Sequence, residues 1–98
     1  MSITAYNKKD INNLGKVLKI LGEPNRLRIL TSLGLECRPV TSIVKDTGLT
    51  QTNVSFHLRV LRDAGLVRAE RCGAFVYYCL PDNQLSEIID QFRDWINK

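Results

Sequence analysis

Apolar residues recur along this chain with two different periods, and the change from one to the other divides it. Ile11, Leu14, Val17, Leu18 and Leu21 are spaced as one face of a helix. Asn7 or Asp10 can start it and Gly22 closes it, so a helix over about residues 8–21 is expected. Pro24 suits the first turn of a second helix, where its missing N–H is no loss. Leu27, Ile29, Leu30 and Leu33 make that helix mostly buried, and Gly34 ends it. Pro39 biases the residue before it toward an extended conformation, so a short strand or loop over 36–40 leads into a helix at about Thr41 to Thr47. The stretch LTQTNVSFHLRVLRDAG, Leu49 to Gly65, then places Val54, Leu58 and Leu61 at i, i+4 and i+7. Thr50 is a good N-cap for it and Gly65 a good stop. At about 100° per residue, Thr52, Phe56 and Arg59 point away from the buried stripe, with Asn53 and Ser55 on its flanks.

After Gly65 the pattern alternates. Leu66 to Glu70 and Phe75 to Cys79 are two β-prone runs. With Cys72-Gly73 as a two-residue turn, Arg71 would pair with Ala74, Ala69 with Val76 and Val67 with Tyr78. Pro81 stops the second run, and Asp82 or Asn83 caps a last helix over about 83–97. Its stripe of Leu85, Ile88, Ile89, Phe92, Trp95 and Ile96 is unusually apolar.

The expected fold is mainly α with a small β-hairpin: a winged helix-turn-helix of about five helices plus a two-stranded wing, with residues 1–98 as one domain. A chain of this size has a modest core. Leu14 and Leu18 of the first helix, with Leu85, Ile88, Ile89, Phe92, Trp95 and Ile96 of the last, are therefore expected to form the interface of a homodimer.

Composition adds a direction to this picture. The formal charge is +4, yet residues 1–81 carry 12 Lys or Arg against 6 Asp or Glu, while residues 82–98 carry 2 against 4. A basic body with an acidic terminal helix suits a polyanion on one side and a different partner on the other. Met1 to Asp10 is polar and no long apolar run follows. No leader, membrane span or membrane partner is expected, which places the protein in the cytoplasm. There three cysteines without a close pair are expected to be reduced thiols and not a disulfide framework.

The order of elements, with KVLKILGEPNRLRIL, TGLTQTNVSFHLRVLRDAGLV and GAFVYYCL, resembles the ArsR/SmtB family of winged-helix repressors over roughly residues 14–81. The run Ser55 to Leu58 followed by Ala64-Gly65-Leu66-Val67 carries the likeness. The resemblance implies a homodimeric transcriptional repressor that leaves its operator when a signal arrives. The family's arsenite sensors carry Cys-x-Cys-x-x-Cys before the turn, where this chain has Pro39, Thr41 and Val44. Its zinc sensors draw an Asp, two His and a Glu from the last helix, where this chain has Asp82, Gln84, Trp95 and Lys98. Neither metal site is expected, and no cofactor.

No enzyme is expected either, since the chain has no paired-carboxylate cluster, no nucleophile with a base at a telling spacing and no phosphate-binding glycine loop. The lone histidine, His57, falls beside the buried stripe and reads as structural. Double-stranded DNA with a roughly palindromic operator is the expected partner. Its contacts would be Thr50, Gln51, Thr52, Asn53, Ser55 and Phe56 at the start of the second helix of the pair, with Arg59, Arg62, Arg68 and Arg71 supplying positive charge. The alternative, favoured by an exposed Phe56, is a winged-helix module that binds protein and touches DNA weakly or not at all. Among the cysteines, Cys72 falls at the hairpin tip. Cys37 and Cys79 would approach one another if the extended segment joins the sheet beside the returning strand, a possible redox pair whose only evident basic neighbour in sequence is Arg38.

Overall fold

Each boundary in the chain is set by local chemistry that the computed structural model, describing residues 5–98, makes explicit. The first four residues, part of the polar segment read above for a leader, lie outside the described residues. Helix α1 (Lys8–Leu21) begins where the Asn7 side chain accepts the Asp10 N–H at 2.7 Å. Helix α2 (Pro24–Ser32) begins with Pro24 in its first turn and the Glu23 carboxylate accepting the Arg26 N–H. Strand β1 (Arg38–Pro39) leads directly into α3 (Val40–Thr47), which stops at Gly48 in the left-handed region, φ 72°. Helix α4 (Gln51–Asp63) follows after three residues, capped by the Thr50 hydroxyl on the Asn53 N–H at 3.1 Å.

The end of α4 is closed by two backbone bonds, Gly65 N–H to the Arg62 carbonyl and Leu66 N–H to the Leu61 carbonyl, both 2.9 Å. This is the Schellman arrangement, and Gly65 takes the positive φ of 75° that it requires. Leu66 and Val67 are spent on this closure and on the core, so strand β2 starts later than the apolar run suggests, at Arg68, and runs to Cys72. Strand β3 (Phe75–Cys79) returns beside it.

The register corrects the expected turn. Cys72 pairs with Phe75, Arg71 with Val76, and Ala69 with Tyr78. The turn is therefore Gly73-Ala74, with Gly73 at φ 63°, because the positive φ of a tight hairpin belongs at a glycine and here comes first. The register moves by two residues, so the alternation of faces survives. A third strand is also present: β1 pairs antiparallel with β3, Arg38 against Tyr78 and Pro39 against Tyr77, giving the sheet order β1-β3-β2.

Helix α5 (Gln84–Ile96) has Asn83 at its N-cap position, and the Asp82 carboxylate just before it accepts the Gln84 N–H at 2.8 Å. The core gathers Ile29, Leu30 and Leu33 of α2 and its end, Ile43 of α3, Val54, Leu58 and Leu61 of α4, and Val67 and Leu80 from the sheet's flanks. Neither α1 nor α5 buries a residue fully. The radius of gyration, 15.0 Å, exceeds the about 13 Å of a compact chain of this length, as two flanking helices with uncovered faces would make it. Among the described residues no helix is long and apolar enough to cross a membrane.

Candidate nucleic-acid interface

Helices α3 and α4 and the β2–β3 hairpin build a surface whose inner side is rigid and whose outer side is polar. Val54, Leu58 and Leu61 have no exposed surface at all, so α4 cannot roll about its axis. The turn before it is tied by Thr47, the one buried polar residue among those described, whose hydroxyl donates to the Ile43 carbonyl at 2.7 Å and accepts the Leu49 N–H at 3.3 Å.

A second tie comes from α2. Arg26 donates through Nε to the Ile20 carbonyl at 2.8 Å and through Nη1 to Nδ1 of His57 at 3.3 Å. The guanidinium can only donate, so Nδ1 is the acceptor in this contact, and Nε2 lies 3.7 Å from the Glu23 carboxylate. His57 thus links α4 to the α1–α2 junction, the structural role its place beside the stripe suggested. Its partners Glu23 and Arg26 come from 31 or more residues away and carry no local signal that would reveal them.

On the outer side, Gln51, Thr52, Asn53, Ser55, Phe56, Arg59 and Arg62 are all exposed. Thr52, Phe56, Arg59 and Asp63 follow one stripe, with Ser55 and Arg62 beside it. The first turn of α4 contains no acid, so its free N–H groups and positive dipole end meet solvent without a competing carboxylate. Phe56 is 58% exposed, its ring edge-on to His57 with centroids 5.4 Å apart. Thr50 is exposed too, but its hydroxyl is engaged as the cap.

The two faces of the sheet divide the arginines. Arg71 lies on the same face as Ala69 and Val76, where an open groove separates it from Arg62 at the end of α4. Arg68 is placed on the opposite face. There its Nη1 pairs with the Glu70 carboxylate and its Nη2 lies 3.6 Å from Cys37 Sγ. Its guanidinium is engaged by Glu70 and faces away from Arg71, because strand alternation sets the two apart. Arg38, the expected neighbour of the cysteines, also turns away from them. It donates to the carbonyls of Ser32 and Ser42 and pairs with Asp46, bracing the end of α2 against α3.

The cysteines differ from the expectation of three reduced thiols. Cys37 and Cys79 are joined by a disulfide, and Cys72 is a free, exposed thiol. The β1–β3 pairing sets Cys37 one position before Arg38 and Cys79 one after Tyr78, directly opposite one another. Of the apolar residues expected at a dimer interface, Leu85 and Ile89 are half-buried against the chain's own core. Leu14, Leu18, Ile88, Phe92, Trp95 and Ile96 are exposed, between 47% and 66%. Ile11 adds to this surface at 54%.

Comparison with known proteins places these features in a family. The family model for bacterial regulatory proteins of the arsR family matches residues 23–69, from the first residue of the His57 network to the inner face of β2. The HTH-type transcriptional regulator NmtR of Mycobacterium tuberculosis is 38% identical over 78 residues, which cover 80% of this chain and 65% of NmtR. The uncharacterized HTH-type transcriptional regulator MJ1325 of Methanocaldococcus jannaschii is 35% identical, over 76% of this chain and 84% of its own length. Among solved structures, the homodimeric winged helix-turn-helix DNA-binding domain of Mb0332 from Mycobacterium bovis superposes with a TM-score of 0.79 at 26% identity, covering 97% of this chain and 91% of that one.

Proposed function

This chain belongs to the ArsR/SmtB family of winged helix-turn-helix transcriptional regulators, which are not enzymes, and from that premise we propose that it is a homodimeric, sequence-specific repressor that binds double-stranded DNA in the cytoplasm and is released by a signal. The observation that carries the reading is the outer stripe of α4. It is anchored by three fully buried residues and a histidine network, it is free of acid in its first turn, and it ends beside Arg62 and Arg71. Gln51, Thr52, Asn53 and Ser55 offer short donors and acceptors at the height where a recognition helix meets base edges in the major groove. In this proposal the exposed Arg59, Arg62 and Arg71 contact phosphates.

The dimer in this proposal is built from α1 and α5. Seven exposed apolar residues on those helices, four of them in the last three turns of α5, leave apolar surface in water that a second copy of the chain would cover. Duplicating the chain about a two-fold axis would present two copies of α4 to successive turns of the groove, about 34–36 Å apart, and so select a roughly palindromic operator.

A second reading, a module that binds protein through the same face, draws on Phe56 alone. A ring in this place also packs on the methyl group of thymine, and the surrounding arginines favour the polyanion. Selection from a pool of random duplexes tests the choice. The proposal expects enrichment of an inverted repeat with half-sites about one helical turn apart; a pool that emerges without any common sequence would overturn it.

A further inference from the structure

The outer face of the sheet carries chemistry that DNA contact does not use. Alternate residues share a face, and the register sets Cys37, Cys79 and Arg68 in one row across the three strands, with Tyr77 and Glu70 in the next and Phe75 and Cys72 at the hairpin tip. Along this face runs an open groove walled by Leu35, Glu36, Arg68, Glu70, Cys72 and Tyr77, and Cys37 opens into it, so among the described residues Arg68 is the one cation facing that sulfur and the Glu36 and Glu70 carboxylates share the groove with it. The two bonded sulfurs are not equivalent. Cys37 is half-buried and meets the groove, whereas Cys79 has no exposed surface. The guanidinium of Arg68, oriented by Glu70, is 3.6 Å from the Cys37 sulfur, while the Arg68 carbonyl is 3.8 Å from the Cys79 sulfur.

We infer that this row is a thiol-reactive site in which Cys37 is the sulfur that reacts, Arg68 is the positioning residue that holds its thiolate, and Cys79 is the resolving thiol, with small peroxides and small thiols as the two classes of co-reactant. In the oxidising direction the Cys37 thiolate attacks a peroxide oxygen. The O–O bond breaks, Cys37 becomes a sulfenic acid and the departing hydroxide or alkoxide takes up a proton. The Cys79 sulfur then attacks the Cys37 sulfur, the S–O bond breaks, and water leaves with the Cys79 proton as the disulfide forms. In the reducing direction a small thiolate attacks Cys37, the accessible sulfur. The S–S bond breaks and Cys79 leaves, is protonated, and can donate to the Arg68 carbonyl. A second small thiol displaces Cys37 from the mixed disulfide, restoring its thiolate and releasing the oxidised small thiol. Electrons balance in both directions, two per cycle.

The position of the bond gives the chemistry a consequence for DNA. It spans 42 residues and encloses α3, α4, β2 and β3. Every element of the candidate interface therefore lies within the loop it closes, and opening it removes the covalent tie between β1, which leads directly into α3, and β3, leaving their pairing to Arg38–Tyr78 and Pro39–Tyr77 alone. This regulatory consequence, though not the thiol chemistry, rests on the DNA-binding reading above.

The test uses the full chain carrying Cys72→Ser, which removes the free exposed thiol. After reduction, the rate of Cys37 alkylation by iodoacetamide is followed by peptide mass from pH 5 to 9, with the denatured chain as reference. The inference expects Cys37 to react at lower pH than in the denatured chain. It expects a roughly tenfold slower reaction near neutral pH in Arg68→Gln, as a loss of thiolate stabilisation requires, and recovery in Arg68→Lys. Identical pH profiles in all three proteins, with helix content unchanged by circular dichroism, would overturn the role of Arg68. Addition of hydrogen peroxide should then form the Cys37–Cys79 peptide and glutathione should remove it; failure of either step overturns the site. In a last arm, oxidised and reduced forms are titrated with the duplex selected above, and at least a tenfold difference in affinity is expected. Equal, tight binding by both forms would overturn the regulatory consequence alone. Absence of binding in both forms, with the thiol steps intact, would instead count against the DNA-binding reading.

Discussion

Nη1 of Arg26 stands 3.3 Å from Nδ1 of His57, and this contact joins the α1–α2 junction to the middle of α4. The same arginine holds the Ile20 carbonyl at the end of α1, and Glu23 closes the network from the other side of the imidazole. The helix that faces outward is thereby referenced to the helix expected to meet a second copy of the chain. Replacing His57 by Ala leaves a half-buried guanidinium without one of its two acceptors and opens space beside the core. A stability loss of about 1–3 kcal/mol is expected, measured by urea unfolding. Because the orientation of α4 loosens as well, DNA affinity should fall for all sequences.

Arg71 tests the wing. It is exposed, on the face of the sheet that shares a groove with Arg62, and no carboxylate is paired with it among the described ion pairs. Arg71→Ala should weaken binding to related and unrelated duplexes alike and lower the slope of log affinity against log salt by about one per subunit. Arg68→Ala, whose guanidinium faces the opposite side of the sheet, should leave that slope close to its original value. Titrations at several salt concentrations decide both outcomes.

Phe92 and Trp95 meet edge-on, ring centroids 6.4 Å apart, on the uncovered face of α5. Burying each against a second copy would contribute on the order of 2 kcal/mol. The double variant Phe92→Asp and Trp95→Asp should sediment as a monomer and lose affinity for a palindromic duplex. A dimer that persists in that variant would place the interface elsewhere.

Gly48 governs the turn between α3 and α4. A methyl group there would meet open space, so the cost of Gly48→Ala comes from the backbone, which holds φ 72°. That conformation costs a non-glycine residue about 1–2 kcal/mol, and the melting temperature should fall accordingly. Thr50→Ala should cost about 1 kcal/mol through the lost cap on Asn53.

The helical part of this fold was legible because its signals are local. The spacing of Val54, Leu58 and Leu61, the Thr50 cap and the Gly65 stop each lie within a few residues of what they control, and α1, α4 and α5 form close to their expected bounds. The start of β2 and the hairpin register were not. Leu66 and Val67 read as strand by composition, but the closure of α4 and the core claim them first. Either of the pairs Cys72-Gly73 and Gly73-Ala74 could make the turn by composition, and only the left-handed φ of Gly73 at the first position distinguishes them. At the candidate site, the exposed α4 stripe followed from periodicity, whereas the roles of Arg38 and Arg68 did not. Which arginine meets Cys37 depends on a strand pairing 31 residues distant, and adjacent residues on a strand, such as Cys37 and Arg38, necessarily face apart.

The central claim is that the first turns of α4 read base edges. Fluorescence anisotropy at near-physiological salt, comparing the selected inverted-repeat duplex with a scrambled duplex of the same length and composition, tests it most directly. The account predicts binding to the selected duplex about a thousandfold tighter or more, with most of that ratio lost in the double variant Thr52→Val and Asn53→Ala. Equal affinity for the two duplexes, or an unchanged ratio in the variant, would contradict it.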